Sequence, residues 1–315
     1  MIGIKNIASI LGDRRVTNAE LAGIHGFETE FLLKKLGVES RHVTSAGIAT
    51  SDLAAAAAKL LLQKEDIAPQ DIGFICVVTQ TPDYQLPHTA AIVQNMLGLD
   101  ETAASFDIGL GCSGFVYGLD IATSFMESNY IKKGILITAD TYSKVIDPSD
   151  RATSPLFSDA AAAVLLTDKP RYASGRGVYG TDGSGYDNLI VKCGGSRSPH
   201  GKAELFMNGR AIFNFMMSRI PNDVARCLSL NKLAMNDIDK FIFHQANLFM
   251  LESLMKKLKI DEHKMVIAMR EVGNTVSSSI PIALESIIDK KYGSILISGF
   301  GVGLSWGTNI LKYRE

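Results

Sequence analysis

Three residues in this chain combine reactive side chains with the right kind of neighbours: Cys112, His244 and Asn274. Cys112 lies in Ala104-Ser-Phe-Asp-Ile-Gly-Leu-Gly-Cys-Ser-Gly-Phe-Val-Tyr-Gly-Leu119, where the residue pattern changes abruptly. Phe106 and Ile108 alternate with smaller or polar residues as in a strand, whereas Phe115, Leu119, Ile121 and Ala122 recur at helical spacing. Gly109, Gly111 and Gly114 permit the dihedrals and close approach that such an elbow needs. A thiol there sits at a helix N-terminus, where unpaired amides and the macrodipole favour the thiolate. Half-ionising a free cysteine at neutral pH takes about 2 kcal/mol. A helix terminus supplies up to about 2 kcal/mol in partly buried geometry, so the elbow is expected to do most of the activation itself. The competing reading is a small buried apolar cysteine.

His244-Gln-Ala-Asn247 follows the apolar Phe241-Ile-Phe243, so the imidazole is expected to be poorly solvated, as a reactive group or as a satisfied core histidine. Gly273-Asn274 and Gly299-Phe-Gly301-Val-Gly303-Leu-Ser-Trp306-Gly307 are similarly placed. Each puts polar or flexible residues just past a strand's carboxyl end, where α/β sheets carry their sites. Of the other histidines, His25, His200 and His263 read as solvated, and His42 and His88 as structural.

The elements that must hold these residues follow from the apolar pattern. Residues 17–36 read as two short helices, with Thr17 or Asn18 capping the first, and Ser51 to Leu62 as an alanine-rich helix. Gly73 to Thr79 is a continuous apolar run, as in a parallel strand buried on both faces. A helix is expected from His88 to Leu97 and a second buried strand from Gly134 to Ala139. Alternating strands and helices imply an α/β layered fold. The second half repeats the order. Phe241-Ile-Phe-His244 answers Phe74-Ile-Cys-Val77, and Met265-Val-Ile-Ala-Met269 is expected to be a strand leading into Gly273-Asn274 as one leads into Cys112. A duplicated unit explains this and brings Cys112 and Asn274 to pseudo-symmetric turns. The least structured boundary is expected at 169–177, dividing a half at 1–170 with the cysteine from a half at 171–315 with the histidine and asparagine.

Composition narrows the function classes. A chain of 315 residues makes about two domains or one large duplicated one. A formal net charge of -1 argues against a general nucleic-acid surface. Cys76, Cys112, Cys193 and Cys227 lack paired spacing, so neither a disulfide framework nor a metal site is indicated, and a reducing cytoplasm is the natural compartment. The first residues are too short in apolar length for a signal peptide, and no run approaches the roughly eighteen apolar residues of a membrane span.

Five motifs together carry a resemblance: Asp107-Ile-Gly-Leu-Gly-Cys112-Ser-Gly-Phe, Asp147-Pro-Ser-Asp-Arg151, His244-Gln-Ala-Asn247, Gly273-Asn274-Thr and Gly299-Phe-Gly-Val-Gly-Leu-Ser-Trp-Gly307. Over essentially its whole length the chain resembles β-ketoacyl-acyl-carrier-protein synthase III, of the thiolase-like condensing enzyme superfamily. The resemblance implies a duplicated five-layered αβαβα thiolase-like fold and a homodimer. It implies an acyltransferase that joins an acyl thioester, from acyl-CoA or an acyl-carrier protein, to malonyl-acyl-carrier protein by decarboxylative condensation, in fatty-acid or related pathway-specific biosynthesis. By this resemblance Cys112 is acylated, His244 and Asn274 serve the condensation, and the backbone amides of Cys112 and Val302 hold the oxyanion. Phe31, Lys35, Arg151 and Asn247 would meet coenzyme A. Leu86, Phe157, Leu189, Leu205 and Met207 would line the acyl pocket, Leu86 reaching across the dimer. No metal and no cofactor beyond the thioester substrates is implied.

The chain also departs from the family pattern. Phe31 stands where members usually have tryptophan, Lys35 where arginine is common, and Phe249 where a basic residue follows the histidine motif; Ser158-Asp159-Ala160 replaces Gly-Asp-Gly. These changes keep a pathway-specific enzyme open beside a fatty-acid initiator. Two further readings share the fold: an acyltransferase to oxygen or nitrogen, which has no need of the His and Asn pair, and a noncatalytic partner, which would have lost the nucleophile.

Overall fold

Aliphatic and aromatic runs flanked by glycine and polar turns set the strands of both halves. A computed structural model describes residues 1–26 and 28–314, the side chain of Phe31 excepted. The first half begins with β1 (Gly3–Leu11), then the antiparallel pair β2 (Arg14–Thr17) and β3 (Ser40–Val43), with helices α1 (Asn18–His25) and α2 (Thr29–Leu36) between them. Thr17 caps α1 in a capping box with Glu20. There follow α3 (Thr50–Lys64), β4 (Phe74–Val78), α4 (Thr89–Leu97), β5 (Ala104–Ile108), α5 (Gly114–Ser128), β6 (Lys133–Asp140) and β7 (Ala160–Thr167). The strands lie in the order β5-β4-β6-β7-β1, with β4 parallel to both neighbours and β7 antiparallel to both of its own.

The second half repeats that plan. Its elements are β8 (Tyr172–Ser174), β9 (Val178–Thr181), the antiparallel pair β10 (Leu189–Val191) and β11 (Leu205–Met207), α6 (Gly209–Leu230), β12 (Lys240–Phe243), α7 (Leu248–Leu258), α8 (Ser279–Glu285), β13 (Ser294–Gly301) and β14 (Ser305–Tyr313). β12 is parallel to β13, β13 antiparallel to β14, and β14 pairs with β8 and β9. β12, β13 and β14 thus take the places of β4, β6 and β7.

Alternating side chains of the two sheets divide the interior into three apolar layers. Ile75, Val77, Ile135 and Ile137 face α3 and α4. Phe74, Cys76, Val78 and Leu136 from one sheet and Ile242, Ile295 and Ile297 from the other enclose α5 and α8. Phe241, Phe243 and Leu296 face α6 and α7. The stacking is helix, sheet, helix, sheet, helix, and both sheets are buried on both faces, as their unbroken apolar runs require. Among the described residues, no helix is long and apolar enough to cross a membrane.

Two expectations are corrected here. Residues 265–269 do not form a strand; only Met265 bridges, in parallel, to Phe241. The Gln245 side chain intervenes: its Oε1 accepts from Ala268 N–H at 2.9 Å and its Nε2 donates to the Val266 carbonyl at 3.4 Å. A side-chain amide thus takes backbone groups that a ladder would use. The stretch 169–177, expected to be the least structured, contains β8, which touches β1 through Ile4 and Tyr172 and β14 through Leu311 and Ser174. Tyr172 is fully buried there, so this segment joins the two sheets.

Candidate active site

β5 ends at Ile108 and α5 starts at Gly114, so Cys112 occupies the turn between them, with Ser113 as the helix cap. Two features make the turn tight. A Cβ on Gly111 would lie 2.2 Å from Gln80 Oε1, and one on Gly114 would lie 2.4 Å from Val78 Cγ1. Gly109 has no such neighbour and is not required by packing. From the other half, β13 presses its glycines on the cysteine: a Cβ on Gly299 would come within 2.5 Å of the Cys112 carbonyl oxygen, and one on Gly301 within 3.0 Å of Sγ.

The expectation that the helix terminus activates the thiol is corrected by this geometry. Cys112 is only 5% exposed, and burial pushes its pKa up to about 12, with the nearby Asp140 carboxylate adding to the rise. The backbone N–H acts in the opposite direction and is the smallest contribution. Desolvation outweighs the helix, and the resting group is a thiol.

His244 follows β12 directly and is buried. Its backbone N–H donates to Ser298, its Nδ1 shares a 2.7 Å hydrogen bond with Ser279 Oγ at the first turn of α8, and its ring meets Phe300 edge-on at 5.7 Å. Burial lowers its pKa to about 3, so the ring is neutral at physiological pH. With Nδ1 engaged, Nε2 is the nitrogen available to a reactant.

Asn274 is held by a backbone exchange with the segment before β7. Its N–H donates to the Leu156 carbonyl at 2.9 Å, its carbonyl accepts from Ser158 N–H at 2.8 Å, and it bridges in parallel to Phe157. Gly273, at φ 74°, makes the approach possible, since a Cβ there would lie 2.7 Å from Ser158 Oγ. Asn274 Oδ1 accepts from Val276 N–H at 3.0 Å, while Nδ2 has a longer bond to the Ala246 carbonyl at 3.3 Å. The amide therefore presents a donor.

One cavity of about 80 Å³ brings these groups together, lined by Cys112, His244, Asn274, Phe157, Leu189, Met207, Asn247 and Gly301 among others. Phe157, Leu189 and Met207 thus reach the expected pocket; Asn247 does too, although its side chain also caps α7 by accepting from Met250 N–H at 2.8 Å. Leu205 and Val302 instead line an adjoining cavity of about 420 Å³. Leu86 is 87% exposed, away from either cavity of its own chain. Lys35 is exposed, with Nζ 5.9 Å from the ring of Phe249, which stacks on Phe213 at 5.3 Å. Arg151 is exposed on the turn after Asp147-Pro-Ser-Asp150. Phe31 is in α2, but its side chain lies outside the described residues. His25, expected to be solvated, meets Ser154 Oγ at 2.9 Å.

Four residues near the chemistry escaped the sequence reading. Gln80 and Tyr142 stand just past the carboxyl ends of β4 and β6, the rule that singled out His244. Asp140, fully buried, accepts from Gln80 N–H at 2.9 Å and from Ser277 Oγ at 2.5 Å, tying the two halves together. Ser279 belongs to the serine run after Asn274, whose small polar residues are the available signal.

A duplicated αβαβα fold with a cysteine at one repeat's turn, an asparagine at the other's and a histidine beside both defines a thiolase-like condensing enzyme. Residues 106–183 match the family described as 3-oxoacyl-[acyl-carrier-protein (ACP)] synthase III, and residues 228–313 match its C-terminal part. The β-ketoacyl-[acyl-carrier-protein] synthase III of Caldanaerobacter subterraneus subsp. tengcongensis is 37% identical, over 99% of this chain and 98% of its own. That of Streptococcus gordonii is 39% identical, over 98% of each. A solved 3-oxoacyl-(acyl-carrier-protein) synthase III matches with a TM-score of 0.95 at 36% identity, covering 99% of both chains. The chain belongs to the 3-oxoacyl-[acyl-carrier-protein] synthase III family and is a condensing enzyme of the acyltransferase type.

Proposed function

We propose that this enzyme condenses an acyl thioester with a malonyl thioester in fatty-acid biosynthesis, with Cys112 as acyl carrier and His244 and Asn274 as hydrogen-bond donors in the second step. The observation that carries the reading is the shared cavity: a thiol, a neutral imidazole and a primary amide line one small buried space. In the first step Cys112 Sγ attacks the acyl carbonyl and gives up its proton, and the departing carrier thiolate takes one, so the site gains no net charge. A thiol pushed up to about 12 by burial makes that proton transfer part of the step instead of a prior equilibrium.

In the second step the malonyl group loses carbon dioxide. The electron pair left behind forms an enolate, whose oxygen takes hydrogen bonds from Asn274 Nδ2 and from His244 Nε2, the latter in the tautomer set when Ser279 donates to Nδ1. The enolate carbon attacks the acyl-cysteine; the tetrahedral oxyanion, in this proposal held by the amides of Cys112 and Val302, collapses and expels the sulfur. The high thiol pKa then favours reprotonation and return to the resting state.

The same proposal includes acyl-CoA and malonyl-acyl-carrier protein as substrates, coenzyme A meeting Phe31, Lys35, Arg151 and Asn247. It includes division of labour at residue 170 and a homodimer in which Leu86, exposed in one chain, enters the partner's acyl pocket with Leu205. A cytoplasmic site is supported by four free cysteines. Incubation with a competent acyl thioester should add one acyl mass, mapped to the Cys112 peptide and absent from Cys112→Ala. Labelling that survives the substitution contradicts the assignment.

A further inference from the structure

The turn that carries Asn274 is held from two sides. On one, residues 156 and 158 exchange backbone hydrogen bonds with Asn274 itself. On the other stands β3, whose first three residues each meet the turn or its clamp. The Ser40 N–H and the N–H of Glu39 just before it both donate to the Arg270 carbonyl, at 3.4 and 2.6 Å. Ser40 Oγ donates to the Glu271 carbonyl at 3.2 Å and accepts from Arg15 Nε, on the paired strand β2, at 3.0 Å. Arg41 stands against Gly273, where a Cβ would lie 3.3 Å from the arginine's own. His42 N–H donates to Ser158 Oγ at 2.9 Å.

This support matters because the approach to Asn274 has no strand ladder of its own. Met265 makes the one bridge to β12, Gln245 holds the backbone as far as Ala268, and beyond it the carbonyls of Arg270 and Glu271 find their donors in Glu39 and Ser40. Ser40 is fully buried. Removing its hydroxyl leaves the Glu271 carbonyl without that donor and frees the backbone just before the amide that must aim at the enolate. We propose that Ser40 is a positioning residue for the condensation: oriented by Arg15, it holds the backbone at 270–273 so that the Asn274 amide stays aimed at the reacting malonyl group. It touches no reacting atom and acts through Asn274. This inference rests on Asn274 being a donor to the enolate.

Acylation of Cys112 and decarboxylation of a malonyl thioester are measured separately for the full-length enzyme, Ser40→Ala, Arg15→Met, Asn274→Ala and the double variant of Ser40→Ala with Asn274→Ala. Ser40→Ala should lower kcat for decarboxylation about tenfold, with KM for the malonyl thioester and the acylation rate within about twofold of wild type. Arg15→Met, at an exposed residue, should lower the same kcat about threefold, and it decides the matter if Ser40→Ala does not melt cooperatively. In Asn274→Ala the serine has nothing left to position, so adding Ser40→Ala should change decarboxylation by less than about twofold. Equal losses of acylation and decarboxylation in Ser40→Ala, or losses that multiply in the double variant, overturn the positioning role. So does decarboxylation at the wild-type rate in the folded Ser40→Ala and Arg15→Met variants. Those results leave Asn274 standing as a donor. Decarboxylation at the wild-type rate in Asn274→Ala overturns the parent reading, and this inference with it.

Discussion

The turns carrying Cys112 and Asn274 occupy corresponding places in the two repeats, yet they are built differently. On the cysteine side β5 is a regular strand of 5 residues and α5 a helix of 15. On the asparagine side the strand is reduced to one bridge, a short 3-10 turn follows, and α8 has only 7 residues. Cys112 is placed by backbone packing against glycines of β13, whereas Asn274 is placed by a hydrogen bond from Val276 N–H and one to the Leu156 carbonyl, and His244 by its hydrogen bond with Ser279. A nucleophile must stay on one trajectory, which close packing enforces. Donors must follow charge as it develops, which aimed N–H groups achieve. The regular half therefore fixes a position and the irregular half fixes orientations.

Substitutions that add volume on one side and remove single bonds on the other should separate these two modes. Among substitutions that leave the three site side chains in place, the largest effect is expected from Gly299→Ala, whose new Cβ would sit 2.5 Å from a backbone oxygen that cannot move independently. Overpacking of this kind costs about 1 to 3 kcal/mol, and displacing the thiol by even about 1 Å should cut acyl-enzyme formation about a hundredfold. Burst amplitudes and thermal melts check both; acylation within about threefold of wild type would mean that the glycine contact does not position the thiol.

A smaller and different effect is expected from Ser279→Ala. It removes one hydrogen bond to His244 Nδ1 and no packing volume, so decarboxylation should fall about tenfold with acylation little changed. Nitrogen chemical shifts of His244 should show the tautomer populations moving. An unaltered spectrum would detach Ser279 from the histidine's chemistry.

The smallest effect concerns Asp140, the carboxylate shared by both turns. Burial raises its pKa from 3.8 to about 6, so the folded protein holds a proton there that the unfolded chain has released across that interval. Through this group stability falls as pH rises from about 4 to about 6. The difference in Tm between Asp140→Asn and wild type should therefore move in the variant's favour across that window. A pH-independent difference would contradict the shift.

How much of this was legible in the sequence follows the same division. The strand before Cys112 was readable from the alternation of Phe106 and Ile108, and β4 and β12 because unbroken apolar runs such as Phe74 to Val78 have no other stable place than a doubly covered sheet. The segment at 265–269 misled because its apolar pattern is strand-like, while the group that displaces the ladder, the Gln245 side chain, is 21 residues from Val266 and 23 from Ala268 in sequence and adjacent only in space. The ionisation of Cys112 misled for a related reason. A helix terminus is a local feature, but desolvation comes from β13 and the second half, which no local pattern reports. Tyr142 and Gln80 stayed hidden because each alone is an ordinary residue after a strand; their hydrogen bond gives them meaning.

The division between positioning the nucleophile and orienting the donors is tested most directly by single-turnover kinetics of His244→Ala and Asn274→Ala. Acyl-enzyme formation and malonyl decarboxylation are followed separately in the same preparations. Removing one donor should slow decarboxylation and condensation about a hundredfold to a thousandfold, while acylation of Cys112 falls far less. Because His244 is already neutral, with a pKa lowered to about 3, wild-type decarboxylation should show no loss between pH 8 and 5 that disappears in His244→Ala. Equal loss of acylation and decarboxylation in both variants would contradict it.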